Sequence, residues 1–305
     1  MLDVAVVGLV TRDLVVAVDA LPDAGGSAPV TTRREQLGGA ANQAVGCRQL
    51  GLTAAVAGVV GDDDAGTAVL QQARRDGIDV TGTARRRGVP TALVVDVVEP
   101  GGRHRLLEHV PEEVLLTEAD VRAAEPVLRS ARAVLVDLQQ PARPALAAAR
   151  AAAGAGALVL LDGATADPAA RAELLAAADV ARADASEVRT LAGRPVEDVP
   201  AAVDAAAEVL AAGPSVVALA VGDANVVVWE GGNVVMPLLG ERPTDPTGGG
   251  DAFVVGLVAA LLDGHDRATA AWWASAAAAL AVDELGGRPD LDRGRVEALA
   301  RSARS

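Results

Sequence analysis

Three consecutive glycines and an aspartate, Gly248-Gly249-Gly250-Asp251, open an apolar helical run from Ala252 to Val258. Glycines at a helix start leave the backbone N–H groups unobstructed by Cβ atoms. Those free N–H groups, together with the helix dipole, favour an anion. A carboxylate beside such a nest can take the proton of an attacking hydroxyl. The combination suits phosphoryl transfer, in which positioning and charge stabilisation carry the catalysis. A plain glycine turn with Asp251 as a helix cap is the competing reading of Asp245–Asp251.

Other segments have related chemistry. Gly38-Gly39-Ala40-Ala41-Asn42 is a second glycine pair that opens a helix, and Asn42 would present an amide that can both donate to and accept from sugar hydroxyls. Asp184-Ala185-Ser186-Glu187 puts carboxylates at a helix start, where they are either capping groups or ligands near a hydrated Mg²⁺. The run Gly61-Asp62-Asp63-Asp64-Ala65-Gly66 suggests metal binding or a solvated helix start.

Composition narrows the function. Of 305 residues 51% are apolar, the chain has no Tyr, one Phe and three Trp, and its formal charge is −14. Such a surface repels a phosphate backbone and argues against nucleic-acid binding. Scarce aromatics argue against a ligand held mainly by ring stacking. The chain contains no lysine, which rules out a Walker lysine, a Schiff base and a lysine general base. Cys47 is alone, so there is no internal disulfide or cysteine metal cluster, and His104, His109 and His265 lack metal-ligand spacing. No signal peptide or membrane span is legible, so a cytoplasmic enzyme is expected.

The elements that must position these groups follow from periodicity. Strands are expected near 4–8, 11–20, 53–59, 90–99, 103–109, 133–138, 157–162, 179–181 and 215–221, with a hairpin of 225–230 and 233–237. Helices are expected over 39–50, 65–76, 118–130, 142–153, 168–178, 185–192, 200–212, 249–263, 266–282 and 292–303. Alternating helix and strand predicts an α/β fold whose mostly parallel sheet is covered on both faces and binds ligands at its carboxyl edge. Segments 13–36 and 90–110 would form a smaller sheet within a single domain spanning 1–305.

In this order and spacing, Val7-Gly8 with Asp13, Gly38–Asn42, Val60–Gly66, Asp184–Glu187 and Asp245–Asp251 resemble the PfkB carbohydrate kinase family, and its ribokinase-like members most closely. The resemblance implies a three-layer α/β/α sandwich with a small β-sheet lid, and ATP with Mg²⁺ as cofactors. It implies Asp251 as the base for a sugar's primary hydroxyl and Gly248, Gly249 and Gly250 as the anion hole. Asp13, Gly38, Gly39, Asn42 and Gln139 would hold the sugar, and Asp184, Glu187 and Gly222 the nucleotide and its Mg²⁺. Many relatives bind a monovalent cation such as K⁺, for which Asp245, Thr247, Glu284 and Gly286 are the matching positions. A homodimer through the lid is also implied.

The chain departs from ribokinase-like patterns at Thr11, Gln139, Asp184, Ala220 and Pro246, and it lacks the lysine of the first glycine signature. These changes leave Asp251 and the glycines intact and bear on the choice of sugar. The expected activity is ATP-dependent phosphorylation of a ribose-like or other small sugar. A nucleoside kinase, and a non-catalytic sugar- or nucleotide-binding protein on the same scaffold, are the alternatives.

Overall fold

The computed structural model describes residues 1–239 and 244–304. The first half of the chain alternates between two sheets. Strand β1 (Leu2–Val7) enters the main sheet, and β2 (Val10–Val18) and β3 (Val30–Gly39) form a hairpin in the smaller one. Helix α1 (Ala41–Gln49) returns the chain to β4 (Ala54–Ala57), followed by β5 (Val59–Gly61), α2 (Asp64–Arg75) and β6 (Ala84–Arg86). A second hairpin, β7 (Ala92–Glu99) and β8 (Arg103–His109), completes the small sheet. Regular crossovers come next: α3 (Glu118–Leu128), β9 (Ala131–Asp137), α4 (Ala142–Ala153), β10 (Leu158–Asp162), α5 (Pro168–Ala176) and β11 (Val180–Ala183). Helices α6 (Val188–Ala192) and α7 (Val199–Leu210) precede β12 (Val216–Val221) and the hairpin β13 (Ala224–Trp229) and β14 (Gly232–Pro237). Helices α8 (Gly249–Leu262), α9 (Arg267–Ala281) and α10 (Arg293–Arg304) close the fold.

The main sheet runs β14-β13-β12-β11-β10-β9-β1-β4, parallel from β4 through β12 and antiparallel across β12, β13 and β14. Its central strands are apolar throughout because both faces are covered. Side chains alternate between two cores: Val4 and Val6 of β1 pack toward α1, α8 and α9, and Ala5 and Val7 toward α3 and α4. Helix α8 is apolar on every side and buried from Ala252 to Ala260, which fixes the direction in which its first turn points. Cys47 lies in the first core, where burial pushes its thiol up to about 12.

The small sheet runs β3-β2-β7-β8, with β2 and β7 parallel and the outer pairs antiparallel. It supplies the lid.

Most expected elements are present, with shifted ends. Residues 30–39 form a full strand where the sequence showed mainly the preceding Pro/Gly loop, because Arg33, Arg34 and Glu35 hide its alternation. The helix expected over 185–192 begins only at Val188, since Asp184–Glu187 are used to cap it. The short pair β5–β6 was not anticipated. The aspartate run is resolved locally. Asp63 caps α2 by accepting from Gly66 N (2.7 Å), and also accepts from Thr91 N (2.9 Å) and Thr91 Oγ1 (2.6 Å). Asp62 faces Arg85 at the surface.

Asp63→Ala is therefore expected to cost about 1–2 kcal/mol in urea unfolding, by removing a cap that also holds the entry to β7. Asp62→Ala is expected to change stability by about 0.5 kcal/mol or less. A metal site built from the run would instead make the parent lose stability on adding a chelator, and both variants would lose that response.

Candidate active site

The site begins with strand register. Asp137 ends β9 and Asp162 ends β10, and Asp162 pairs in register with both Asp137 and Arg182 of β11. In-register neighbours in a sheet point to the same face, so the three side chains meet beyond the carboxyl edge. Arg182 Nη1 donates to Asp162 Oδ1 at 2.8 Å. Gln43, in the first turn of α1, uses its Nε2 to donate to Asp162 Oδ2 (2.8 Å) and to Asp251 Oδ1 (3.0 Å). The connected series Arg182–Asp162–Gln43–Asp251 thus joins a sheet edge to two helix starts.

Asp251 sits in the first turn of α8 behind the N-cap Gly248, which has φ +81°. A Cβ at Gly248 would also collide with the carbonyl of Gly287, so this corner requires glycine. Burial pushes the Asp251 carboxyl up to about 8, with the Asp162 charge adding to the effect and the Gln43 hydrogen bond opposing it. Burial also raises Asp137 to about 7, although it accepts from Gln139 N (2.9 Å) and Leu9 N (3.3 Å). Arg182 loses solvation on burial, but Asp162 holds its pKa above the usual value.

Gly39, Gln139, Asp184, Glu187, Gly248, Gly250 and Asp251 line one cleft, joined there by Gln43, Asp137, Asp162 and Arg182. Leu106 of β8 overhangs it from the lid. Asp184 and Glu187 also cap one another's segment: Asp184 Oδ1 accepts from Ser186 N (2.7 Å) and Glu187 N (2.9 Å), and Glu187 Oε2 accepts from Asp184 N (3.1 Å). The capping and cleft-facing roles coexist, and burial raises the Glu187 pKa. Such a carboxylate, with Asp162 and Asp184 nearby, fits a hydrated divalent cation.

Asp13, Gly38 and Asn42 lie beside the cleft. Asp13 accepts from Thr11 Oγ1 (2.6 Å) and is pushed up to about 6 by burial. A Cβ at Gly38 would overlap its carboxylate. Asn42 is buried and its Oδ1 has no partner among the described residues; the same is true of Gln36 Nε2.

The approach to the glycines is held by Asp245, fully buried, which accepts from Thr247 N (2.9 Å) and Gly286 N (2.8 Å). Thr247 Oγ1 donates to Asp96 Oδ2 at 3.1 Å and lies 3.1 Å from His104 Nδ1, so two lid strands touch the glycine loop. Burial and the adjacent Asp245 raise the Asp96 pKa. Glu284 points outward, 3.7 Å from Arg34. Gly222 lines a separate depression with Asp198 and Asp223. A second, largely apolar cavity lies beside the first, walled by Leu238, Phe253, Ala278 and Val282, with Ala220 and Gly249 at its edge. The two cavities share Arg182, Pro246 and Gly250.

Residues 1–293 match the family described as pfkB family carbohydrate kinase. The chain belongs to the PfkB family. It is 32% identical over 286 residues to an ATP-dependent ribose-1-phosphate kinase of Halopiger xanaduensis, covering 92% of each chain. It is 28% identical over 255 residues to a ribokinase of Haemophilus influenzae, covering 83% of each. Arabidopsis thaliana ribokinase complexed with ribose and ATP superposes with a TM-score of 0.80 at 25% identity over 99% of each chain. The protein is thus an ATP-dependent sugar kinase of the PfkB type with the ribokinase-like fold and lid.

Sequence reading missed Gln43, Asp137, Asp162, Arg182, Asp96 and His104. A signal existed for some of these: Asp137 and Asp162 both end apolar strands, at the edge where parallel sheets bind ligands. Arg182 and the lid pair become visible only through strand register and lid packing.

Raised carboxyl pKa values mean that the folded chain holds protons the unfolded chain releases. That stabilisation is complete below the ordinary value near 3.8 and is lost as pH rises through about 7 for Asp137 and about 8 for Asp251. Asp251→Asn removes one such group. Without ligand, its Tm should exceed that of the parent by about 2 °C or more at pH 8.5, and the gap should close toward pH 4. Scanning fluorimetry across pH measures both.

Proposed function

We propose that this kinase phosphorylates the primary hydroxyl of a neutral, ribose-like sugar with Asp251 as general base. The hydroxyl proton passes to Asp251, and the freed oxygen bonds to the γ-phosphorus of ATP. The bond from that phosphorus to the β,γ-bridging oxygen breaks, and ADP leaves with the electron pair. Gly248, Gly249 and Gly250 form the anion hole for the moving phosphoryl oxygens at the start of α8, with the Gly249 N–H turning from the Pro246 carbonyl (3.4 Å) to join it. The observation that carries the reading is Asp251 beside this glycine loop, where its carboxyl, raised to about 8, is a stronger base than an ordinary aspartate once ionised.

Asp13, Gly38, Gly39 and Asn42 form the sugar-holding wall in this reading, with Gln139 at the rim. The unpartnered Asn42 Oδ1 and Gln36 Nε2 support it, because buried polar atoms without partners call for a hydroxyl-rich ligand. The apolar cavity walled by Leu238, Phe253 and Val282 suits the nucleotide base. Asp184 and Glu187 would hold Mg²⁺, which neutralises phosphate charge when bound. Gly222 is assigned to the nucleotide by resemblance alone. Asp245, Thr247, Glu284 and Gly286 are the K⁺ positions, chiefly through their backbone carbonyls; the buried Asp245 supports this by tying Thr247 N and Gly286 N together and so holding the two segments side by side.

The Halopiger relative raises ribose 1-phosphate as a second acceptor. Asp137, Asp162, Asp184, Glu187 and Asp251 line the cleft against the single cation Arg182 among its described residues, which favours an uncharged sugar. No aromatic ring is among the described lining residues, which disfavours a nucleoside base there.

An ADP-release assay against ribose, ribose 1-phosphate, other pentoses and nucleosides, with and without K⁺, tests these choices. Ribose or a close analogue should give the highest kcat/KM, rising with pH from 6 toward 8. Asp251→Asn should retain sugar binding and lose about 10³-fold or more in kcat. Near-parental turnover in that variant would overturn the base assignment.

The lid exposes Leu107 (63%) and Val30 (50%), while Leu106 turns toward the cleft. A homodimer through the lid follows from this reading. Sedimentation should give twice the chain mass, and Leu107→Glu should shift it to a monomer.

A further inference from the structure

We propose that Arg182 is a catalytic residue that binds the phosphoryl group during its transfer, opposite the glycine loop. The inference rests on the kinase reading above and adds a contact to it.

The first ground is composition. Phosphoryl transfer moves a highly charged group, and this chain has no lysine to meet it. Any side-chain cation that joins the metal and the helix N–H groups there must be an arginine or a histidine. Among the described residues, Arg182 is the one basic side chain lining the acceptor cleft, and also the one lining the adjoining apolar cavity.

The second ground is position. The cavities meet at Arg182, Pro246 and Gly250, so the guanidinium stands where a phosphate chain would pass from nucleotide to acceptor. A Cβ built on Gly250 would lie 2.7 Å from Arg182 Nη2 and 3.0 Å from Nη1. The guanidinium therefore lies flat against the first turn of α8, and the absence of a side chain at Gly250 permits that approach. Helix N–H groups and guanidinium converge on one spot, next to Asp251.

The third ground is the state of the side chain. Arg182 is 13% exposed and anchored by Nη1 to Asp162, its in-register neighbour. No hydrogen bond from Nη2 to a described residue is made. A guanidinium forks its donors. One arm fixes the group to the sheet, and the other faces the shared space. A purely structural counter-ion for Asp162 would not need to lie across both cavities.

The anchoring has a consequence. Asp162 also accepts from Gln43, which bridges to Asp251. Loss of Arg182 leaves the Asp162 charge uncompensated and moves the base titration upward, an indirect effect separable from loss of the contact itself.

Magnesium-loaded ADP and a non-hydrolysable ATP analogue, titrated calorimetrically into the parent, Arg182→Met and Arg182→Lys proteins, separate these effects. If Arg182 contacts the transferring group, Arg182→Met should weaken the triphosphate analogue by about 10-fold and ADP by less than about 3-fold. Its kcat on the best sugar should fall by about 10²-fold or more, with part restored by added guanidinium. Arg182→Lys should return the pH profile toward that of the parent, yet recover only part of the turnover, because an ammonium lacks the second arm. Equal weakening of both nucleotides, or kcat within about 3-fold of the parent, would overturn the contact. Should Arg182→Met not fold, unchanged selectivity between the nucleotides in Arg182→Lys would overturn it too. If the parent releases ADP with no acceptor, the kinase reading of the sugar fails, while the calorimetric comparison still decides whether Arg182 meets the γ-phosphate.

Discussion

The structure depends on a concentration of negative charge at the carboxyl edge of its parallel sheet. Parallel strands in register carry Asp137, Asp162 and Arg182 to one face, and α8 adds Asp251. Carboxylates brought this close in a poorly solvated cleft repel one another, and some protonate. Burial first, and the neighbouring carboxylates second, raise the pKa values of Asp137 and Asp251. Arg182 and Gln43 hold the group together, the first with charge and the second with an amide that bridges Asp162 and Asp251. A carboxyl raised in this way is a destabilising feature of the empty protein once pH exceeds its pKa and, in the proposed reaction, a stronger base once ionised. Stability and function therefore oppose each other at Asp251.

That edge must also be reached by the lid and by the glycine loop, and these are coupled to each other. Asp96 and His104, on neighbouring lid strands, converge on Thr247 just before the glycines. Asp245 fastens the same loop to Gly286. Movement of the lid would thus be felt at the glycine turn through these side chains. Lid closure in kinases keeps water from the phosphoryl group, and here Leu106 is the lid residue over the cleft. The buried, all-apolar α8 gives the glycine loop a well-packed base.

Several features legible in the sequence kept two roles once folded. Asp184 and Glu187 read as caps or as metal neighbours; the structure shows reciprocal capping and exposure to the cleft together. The aspartate run, equally suggestive of metal, resolves into a cap at Asp63 and a surface ion pair at Asp62, because helix starts satisfy their N–H groups locally.

The sequence by itself determined what depends on neighbours along the chain. Glycine-opened helices at Gly38–Asn42 and Gly248–Asp251 are legible because the conformational freedom of glycine, the free N–H groups and the following apolar run are all local. The alternation of strand and helix was legible for the same reason. Strand 30–39 and the pair β5–β6 were not, because charged exposed residues and short length erase periodicity. Only the tertiary structure decided that Asp162 stands between Arg182 and Gln43, that Asp96 and His104 reach Thr247, and that one arginine lies across two cavities. These contacts depend on strand register and on the docking of distant segments, which no local pattern encodes.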